Sequence, residues 1–199
     1  MTTLSDDEIH QIVQHVLAQV MGQGAAQPSA VAAPLPAPKD AAPEAKPAAS
    51  RIVAIGADHG GVELKEILKA ELTELGYDVR DVGTYTKASV DYPEFAHEVA
   101  KRVAAGKAWR GIMIDGAGIG SCIVANKVPG VRAGMAYDLS SALNSREHND
   151  TNVLTLGAGL IGANLARQIV KTWLTTEFGG GRHTKRVDLI TSIEKQYSK

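Results

Sequence analysis

Apolar positions along this chain recur with two different periods. Between residues 4 and 21, Ile9, Ile12, Val13, Val16, Leu17 and Val20 return at helical spacing on one face. Ser5 and Glu8 form a Ser-x-x-Glu capping box ahead of that stripe, and Asp6, Asp7 and Glu8 suit the positive end of a helix dipole. The pattern predicts a short amphipathic helix over 4–21. A lone helix of that length is marginal in water, so it is expected to gain order by docking on something. From Arg51 onward the pattern changes. Short apolar runs at 52–55, 77–82, 111–114, 131–136 and 153–156 predict strands. Between and after them, 62–75, 93–105, 139–146, 160–175 and 187–196 predict helices. Strand and helix alternating with short connections imply a parallel sheet covered on both faces. The first, third and fifth strands are expected at its centre, with their C-terminal ends lining the site.

The two periodic regions are separated by a stretch with no period. Residues 23–50 hold six of the chain's eight prolines, and alanine fills most of the rest. Such a segment builds no packed core and is expected to act as an extended tether. The organisation is therefore a helix over 1–22, a linker over 23–50 and a main domain over 51–199.

Composition narrows the function classes. A hydrophobic content of 44% with 22% charged residues is that of an ordinary soluble globular protein. A net charge of −1 gives no electrostatic footprint for nucleic acid or a membrane surface. The single cysteine, Cys122, excludes an internal disulfide and fits a reducing cytoplasm. No apolar run reaches the ~20 residues that span a bilayer. No Lys or Arg precedes Lys39, so a secretory signal is not expected.

The richest stretch chemically is Asp115-Gly-Ala-Gly-Ile-Gly120, which follows a predicted strand and leads into Ser121 and Cys122. Glycines there let backbone N–H groups crowd around an anion at a helix start. An acidic side chain sits at the strand's last position, where open α/β sheets place their ligands. A carboxylate beside an anion hole suggests proton transfer on a carbonyl substrate. A tight turn with Asp115 as helix cap accounts for the same stretch. A second run, Gly157-Ala-Gly-Leu-Ile-Gly162, matches the dinucleotide fingerprint, but it follows the last predicted strand and lacks the strand and ribose-binding acid that should come after it. No cofactor and no metal are expected.

Ala57-Asp-His-Gly-Gly61, Asp91-Tyr-Pro93, Gly116-Ala-Gly-Ile-Gly120, Ala125-Asn-Lys127, His148-Asn-Asp-Thr-Asn-Val153 and Gly180-Gly-Arg-His183 with Arg186 follow one another across the main domain. In this order and spacing they resemble the ribose-5-phosphate isomerase B family, which includes the lactose-operon galactose-6-phosphate isomerase subunits. The resemblance implies an α/β fold, a Rossmann-like three-layer sandwich with a five-stranded parallel sheet, here preceded by a tethered N-terminal helix. It implies metal-free interconversion of aldose and ketose sugar phosphates through an enediolate, with active sites at a dimer interface. It further implies that His148 assists ring opening and that Asp58 and His59 contact sugar hydroxyls or the phosphate end. Asn149 and the amides of Gly116, Ala117, Gly118 and Gly120 would hold the oxyanion. Arg182 and Arg186 would bind phosphate, and Tyr92 would line the pocket. These residue types suit the chemistry: the shift needs a base between C1 and C2 and donors for the enediolate, and a guanidinium fork matches phosphate.

The chain departs from that family at three places. Many relatives carry a cysteine base where Asp115 stands, and others a glutamate at the position of Ser121. Asp115 is the expected replacement base. Ala117 stands for a usual Thr or Ser, and Gly159 for a usual phosphate-binding Arg. These changes suit a retuned sugar site, with ribose 5-phosphate to ribulose 5-phosphate as the first substrate expected, another (deoxy)sugar phosphate as an alternative, and a non-catalytic sugar-phosphate-binding relative as a third. A homodimer or homotetramer is expected. The N-terminal helix and Ala/Pro-rich linker resemble the encapsulation peptides of bacterial microcompartment cargo enzymes. That resemblance implies docking of the helix on shell or cargo proteins, and a cytoplasmic location inside such a compartment.

Overall fold

The structure is a computed structural model that describes residues 6–22 and 51–198. The first segment is a helix, α1 (Asp6–Gly22), in which Ile9, Ile12, Val13, Val16 and Leu17 are each about half exposed. Ser5 of the expected capping box and the expected linker over 23–50 lie outside the described residues.

The main domain runs β1 (Ile52–Ala57), α2 (Val62–Glu74), β2 (Asp78–Asp81), α3 (Tyr92–Ala104), β3 (Arg110–Asp115), α4 (Ile119–Ala125), β4 (Ala133–Met135), α5 (Leu139–Glu147), β5 (Val153–Gly157), α6 (Ala163–Thr175) and α7 (Arg182–Tyr197). All strands are parallel, in the order β2-β1-β3-β5-β4, so β1, β3 and β5 are central as their unbroken apolar runs imply. One face of the sheet buries Leu64, Leu68 and Leu72 of α2 with Ile169, Val170 and Trp173 of α6. The other buries Ala96, Val99, Ala100 and Val103 of α3 with Ala125 of α4.

Two helices begin elsewhere than the apolar period suggests. Helix α7 starts at Arg182, five residues before Val187, because Gly180 and Gly181 adopt φ of +59° and +54° and turn the chain directly into the helix. Helix α6 starts at Ala163, because Leu160 and Ile161 fold back to donate to the Gly157 carbonyl. Fully buried Lys65 on α2 breaks the apolar face of that helix. All three of its ammonium donors are used, on both Asp81 oxygens and the Thr84 carbonyl, each at 2.8 Å.

Candidate functional site

The C-terminal ends of β1 and β3 border one cleft of about 210 Å³, lined by Asp58, Tyr92, Asp115, Gly116, Ala117 and Gly120. Each lining residue is held by its own local chemistry. Asp58 follows β1. Its Oδ1 accepts the Gly60 and Gly61 amides at 2.9 and 3.1 Å, an Asx turn that opens α2. Its Oδ2 has no protein donor among the described residues. His59 beside it accepts the Val90 amide on Nδ1, at 3.3 Å, which ties the loop before α3 to the cleft. Tyr92 opens α3 and lies against Gly120, where a Cβ would come within 2.5 Å of its ring.

The glycine turn is built around Asp115. Gly118 takes φ +79°, a conformation open to glycine, and the turn wraps back onto the strand end. Asp115 Oδ1 accepts the amides of Ala117 and Gly118, and Oδ2 accepts the amide and hydroxyl of Ser121. Four donors therefore fill the roughly four lone-pair positions of the carboxylate. Asp115 is 5% exposed and occupies much of the anion nest itself. Of the turn amides expected to face substrate, those of Ala117 and Gly118 point at Asp115. Gly159 packs against the same turn, its amide donating to the Gly116 carbonyl at 3.0 Å.

The remaining expected residues form a second cluster. His148 and Asn149 follow α5, and Arg182 and Arg186 occupy the first turns of α7. The His148 ring stacks on His183 with centroids 4.1 Å apart and planes within 5°. Arg182 and Arg186 are exposed, and neither has a carboxylate partner among the described residues. The loop carrying His148 is braced from behind. Asp150, the non-glycine residue at φ +46°, accepts Arg146 and Arg132, each at 2.8 Å. His183 lies buried, and burial, His148 and the two arginines together hold its imidazole below the usual histidine range.

The two clusters lie at opposite ends of the sheet. Helix α5 returns from the C-terminal end of β4 to the start of β5, so His148 precedes Val153. Gly157, at the other end of β5, pairs with Asp115, while Val153 pairs with Gly111. Those four strand steps alone separate the ends by ~13 Å. Within one chain the structure thus brings Asp58, His59, Tyr92, Asp115 and Gly116–Gly120 together, brings His148, Asn149, Arg182 and Arg186 together, and keeps the groups apart. Exposed apolar side chains are frequent on the helices around the second cluster: Leu139 and Leu143 on α5, Leu189, Ile190 and Ile193 on α7. Among the described residues no helix is long and apolar enough to cross a membrane, and no group of three His, Cys, Asp or Glu is placed to hold a metal.

Sequence reasoning gave no site role to Ser121, Asn144 and His183. Ser121 was legible as one residue of a helix start and as the place where some relatives carry a glutamate, Asn144 as a polar position on α5, and His183 as the neighbour of an arginine.

Comparison with known proteins gives the same architecture and a family. A family model described as Ribose/Galactose Isomerase matches residues 53–190. Ribose-5-phosphate isomerase B of Escherichia coli is 46% identical over 144 residues, covering 72% of this chain and 97% of that protein. D-erythrulose-4-phosphate isomerase of Pectobacterium atrosepticum is 41% identical over 145 residues, covering 72% and 95%. The structure of Clostridium thermocellum ribose-5-phosphate isomerase B matches with a TM-score of 0.73 at 50% identity, covering 74% of this chain and 99% of that one. The chain belongs to the ribose/galactose isomerase family, and it is a sugar-phosphate aldose–ketose isomerase.

Proposed function

We propose that this member of the family interconverts ribose 5-phosphate and ribulose 5-phosphate, in active sites each shared by two copies of the chain. The separation of the two residue clusters carries the reading. One end of the sheet holds the carboxylates and the glycine turn. The other holds a histidine, an asparagine and two arginines that have no carboxylate partner among the described residues. A carbonyl shift on a phosphorylated sugar needs both sets at once. A two-fold pair sets one copy's His148 cluster over the other's Asp115 cleft, and does so twice. The exposed leucines and isoleucines of α5 and α7 suit that contact.

In this site Arg182 and Arg186 of one copy take the phosphate, pairs of whose oxygens the planar guanidinium fork matches. His148 assists opening of the furanose. Asp58, through its free Oδ2, and His59 hold sugar hydroxyls in the other copy's cleft. Asp115 is the base. Of its four donors only the Ser121 hydroxyl can rotate, and its rotation frees one Oδ2 lone pair towards the cleft. The C2 proton passes to Oδ2 and the C–H electron pair forms the enediolate. The proton of the C2 hydroxyl moves to O1, and Oδ2 then gives C1 a proton, its own or one exchanged with solvent water. Asn149, with the amides of Gly116 and Gly120, which line the cleft without serving Asp115, stabilises the enediolate oxygen. Ribose 5-phosphate is favoured by the named relatives. The relative acting on D-erythrulose 4-phosphate supports a second substrate class of shorter sugar phosphates. The N-terminal helix and its tether, by their resemblance to encapsulation peptides, deliver the enzyme to a microcompartment.

Mixing two disabled variants tests the shared site. Asp115→Asn and His148→Ala homodimers should each be inactive on ribose 5-phosphate. Co-expressed in equal amounts, half the pairs are hybrids, and each hybrid regains one intact site of two. Activity should return to ~25% of wild type, read as ketose formation by NMR in D2O. No recovery from hybrids isolated by orthogonal tags would sink the shared site. A fully active Asp115→Asn homodimer would remove Asp115 as base.

A further inference from the structure

We propose that Asn144 is a positioning residue that fixes which nitrogen of His148 meets the sugar. The proposal rests on the reading of His148 given above, and it starts from one backbone carbonyl. The Asn144 carbonyl can only accept, and it lies 3.2 Å from the side-chain nitrogen of Asn149. The Asn149 amide is therefore oriented with its NH2 towards Asn144. That same NH2 is 3.4 Å from the Asn144 side-chain oxygen. The opposite orientation of Asn144 would set two NH2 groups face to face. With its oxygen towards Asn149, Asn144 turns its own NH2 to His148 Nδ1, at 2.8 Å. A nitrogen that receives an N–H donor carries no hydrogen itself. The imidazole hydrogen sits on Nε2, the opposite nitrogen, which has a Glu147 carboxylate oxygen 4.0 Å away.

The ring plane is fixed as well. His183 lies parallel to His148 at 4.1 Å, and Arg182 Nε donates to His183 Nε2 at 3.3 Å. An acceptor at Nε2 makes His183 a neutral plate, in keeping with the downward displacement of its ionisation by burial, His148 and the arginines. His148 is thus clamped on its face by His183 and at Nδ1 by Asn144, and offers the substrate a fixed hydrogen-bond donor. A donor suits ring opening. As the C1–O4 bond breaks, its electron pair goes to O4, and Nε2–H stabilises the charge building there. The anomeric hydroxyl proton leaves through solvent water, which also protonates O4. Such fixing of tautomer by the nitrogen opposite the reacting one is a recurrent use of histidine.

The test reverses the clamp. Asn144→Asp presents only acceptors, so it draws the hydrogen to Nδ1, while Asn144→Leu removes the bond. Asn144 is exposed, and both variants should fold with unchanged thermal midpoints. Long-range 1H–15N correlation on the wild-type enzyme should show Nε2 protonated and Nδ1 bare. Asn144→Asp should exchange the two. Net conversion between ribose 5-phosphate and ribulose 5-phosphate should fall ~10–100-fold in Asn144→Asp. Ribulose 5-phosphate has no ring to open, because its C5 oxygen carries the phosphate. Its C1 hydrogen should therefore still exchange with D2O, since the base is untouched and the substitution keeps a side-chain oxygen, beside the backbone carbonyl, for the Asn149 NH2. Wild-type His148 protonated on Nδ1, or loss of exchange and conversion together in Asn144→Asp, would overturn the proposal. If the wild type converts and exchanges neither sugar, the substrate reading fails, and the tautomer spectra alone decide the role of Asn144.

Discussion

At the scale of single residues, close approach explains the glycines better than turn freedom does. A Cβ on Gly120 would lie 2.5 Å from the Tyr92 ring, a half-exposed side chain that is free to move aside. Gly120→Ala should cost about 1 kcal/mol of stability, but should drive Tyr92 out of the cleft and lower kcat/KM about tenfold. In a Tyr92→Ala background the stability loss should vanish, and thermal denaturation of the four proteins of that cycle reads it. Gly157 is a harder case, because its Cβ would meet the Ala117 carbonyl, a backbone atom, at 2.6 Å. The run Asp115–Gly120 was readable as a strand end and anion turn from composition alone. That Asp115 would itself fill the nest was not readable, since it depends on the left-handed turn at Gly118, which aims the Ala117 and Gly118 amides back at the strand.

At the scale of elements, α2 and β2 are clamped by charge. Lys65 is fully buried, and Lys69 also reaches Asp81, at 2.8 Å. Burial by itself would raise the Asp81 carboxyl. Hydrogen bonds from Lys65, Lys69 and the Gly83 amide outweigh it and hold the group below the usual carboxylate range. A carboxylate depressed in the folded state binds fewer protons there than in the unfolded chain. Its stabilisation is complete above the unfolded value of about 3.8 and is lost as pH falls through the lower folded value. Lys65→Met should therefore destabilise by about 3 kcal/mol at pH 7, because it leaves Asp81 short of its main partner. It should also flatten the acid limb of the stability curve below pH ~4, measured by urea denaturation across pH. Lys65 looks in sequence like an exposed helix position, since nothing local reveals the acid 16 residues on. The central strands were legible because two-sided burial demands unbroken apolar runs. The start of α7 was not, because Gly180 and Gly181 set it through backbone angles, ahead of the first buried apolar residue of the helix at Val187.

At the scale of the whole molecule, tail and catalytic body are assigned different tasks. Removing residues 1–50 should leave isomerase activity in solution within about twofold, because no residue placed in the chemistry lies before Asp58. It should abolish co-purification with shell or cargo proteins when these are expressed together. Loss of activity would instead make α1 part of the catalytic unit. The parallel sheet followed from the alternation of elements, and the expected central place of the first, third and fifth strands is the one they take. The division of the site followed less readily. Motif spacing places residues along the chain, whereas a helix that returns between parallel strands sends neighbouring motifs to opposite ends of the sheet. His148 and Asp115 are a case of this, joined by the resemblance and parted by α5. The same separation has a consequence for how the activity scales. If one chain holds two complementary halves that never meet, a lone copy is inert, and catalysis obeys mass action in the protein itself. Dilution then acts as an inhibitor that touches no active-site atom. A tether that gathers many copies in a small volume raises their effective concentration, and with it the fraction of chains that have any chemistry at all.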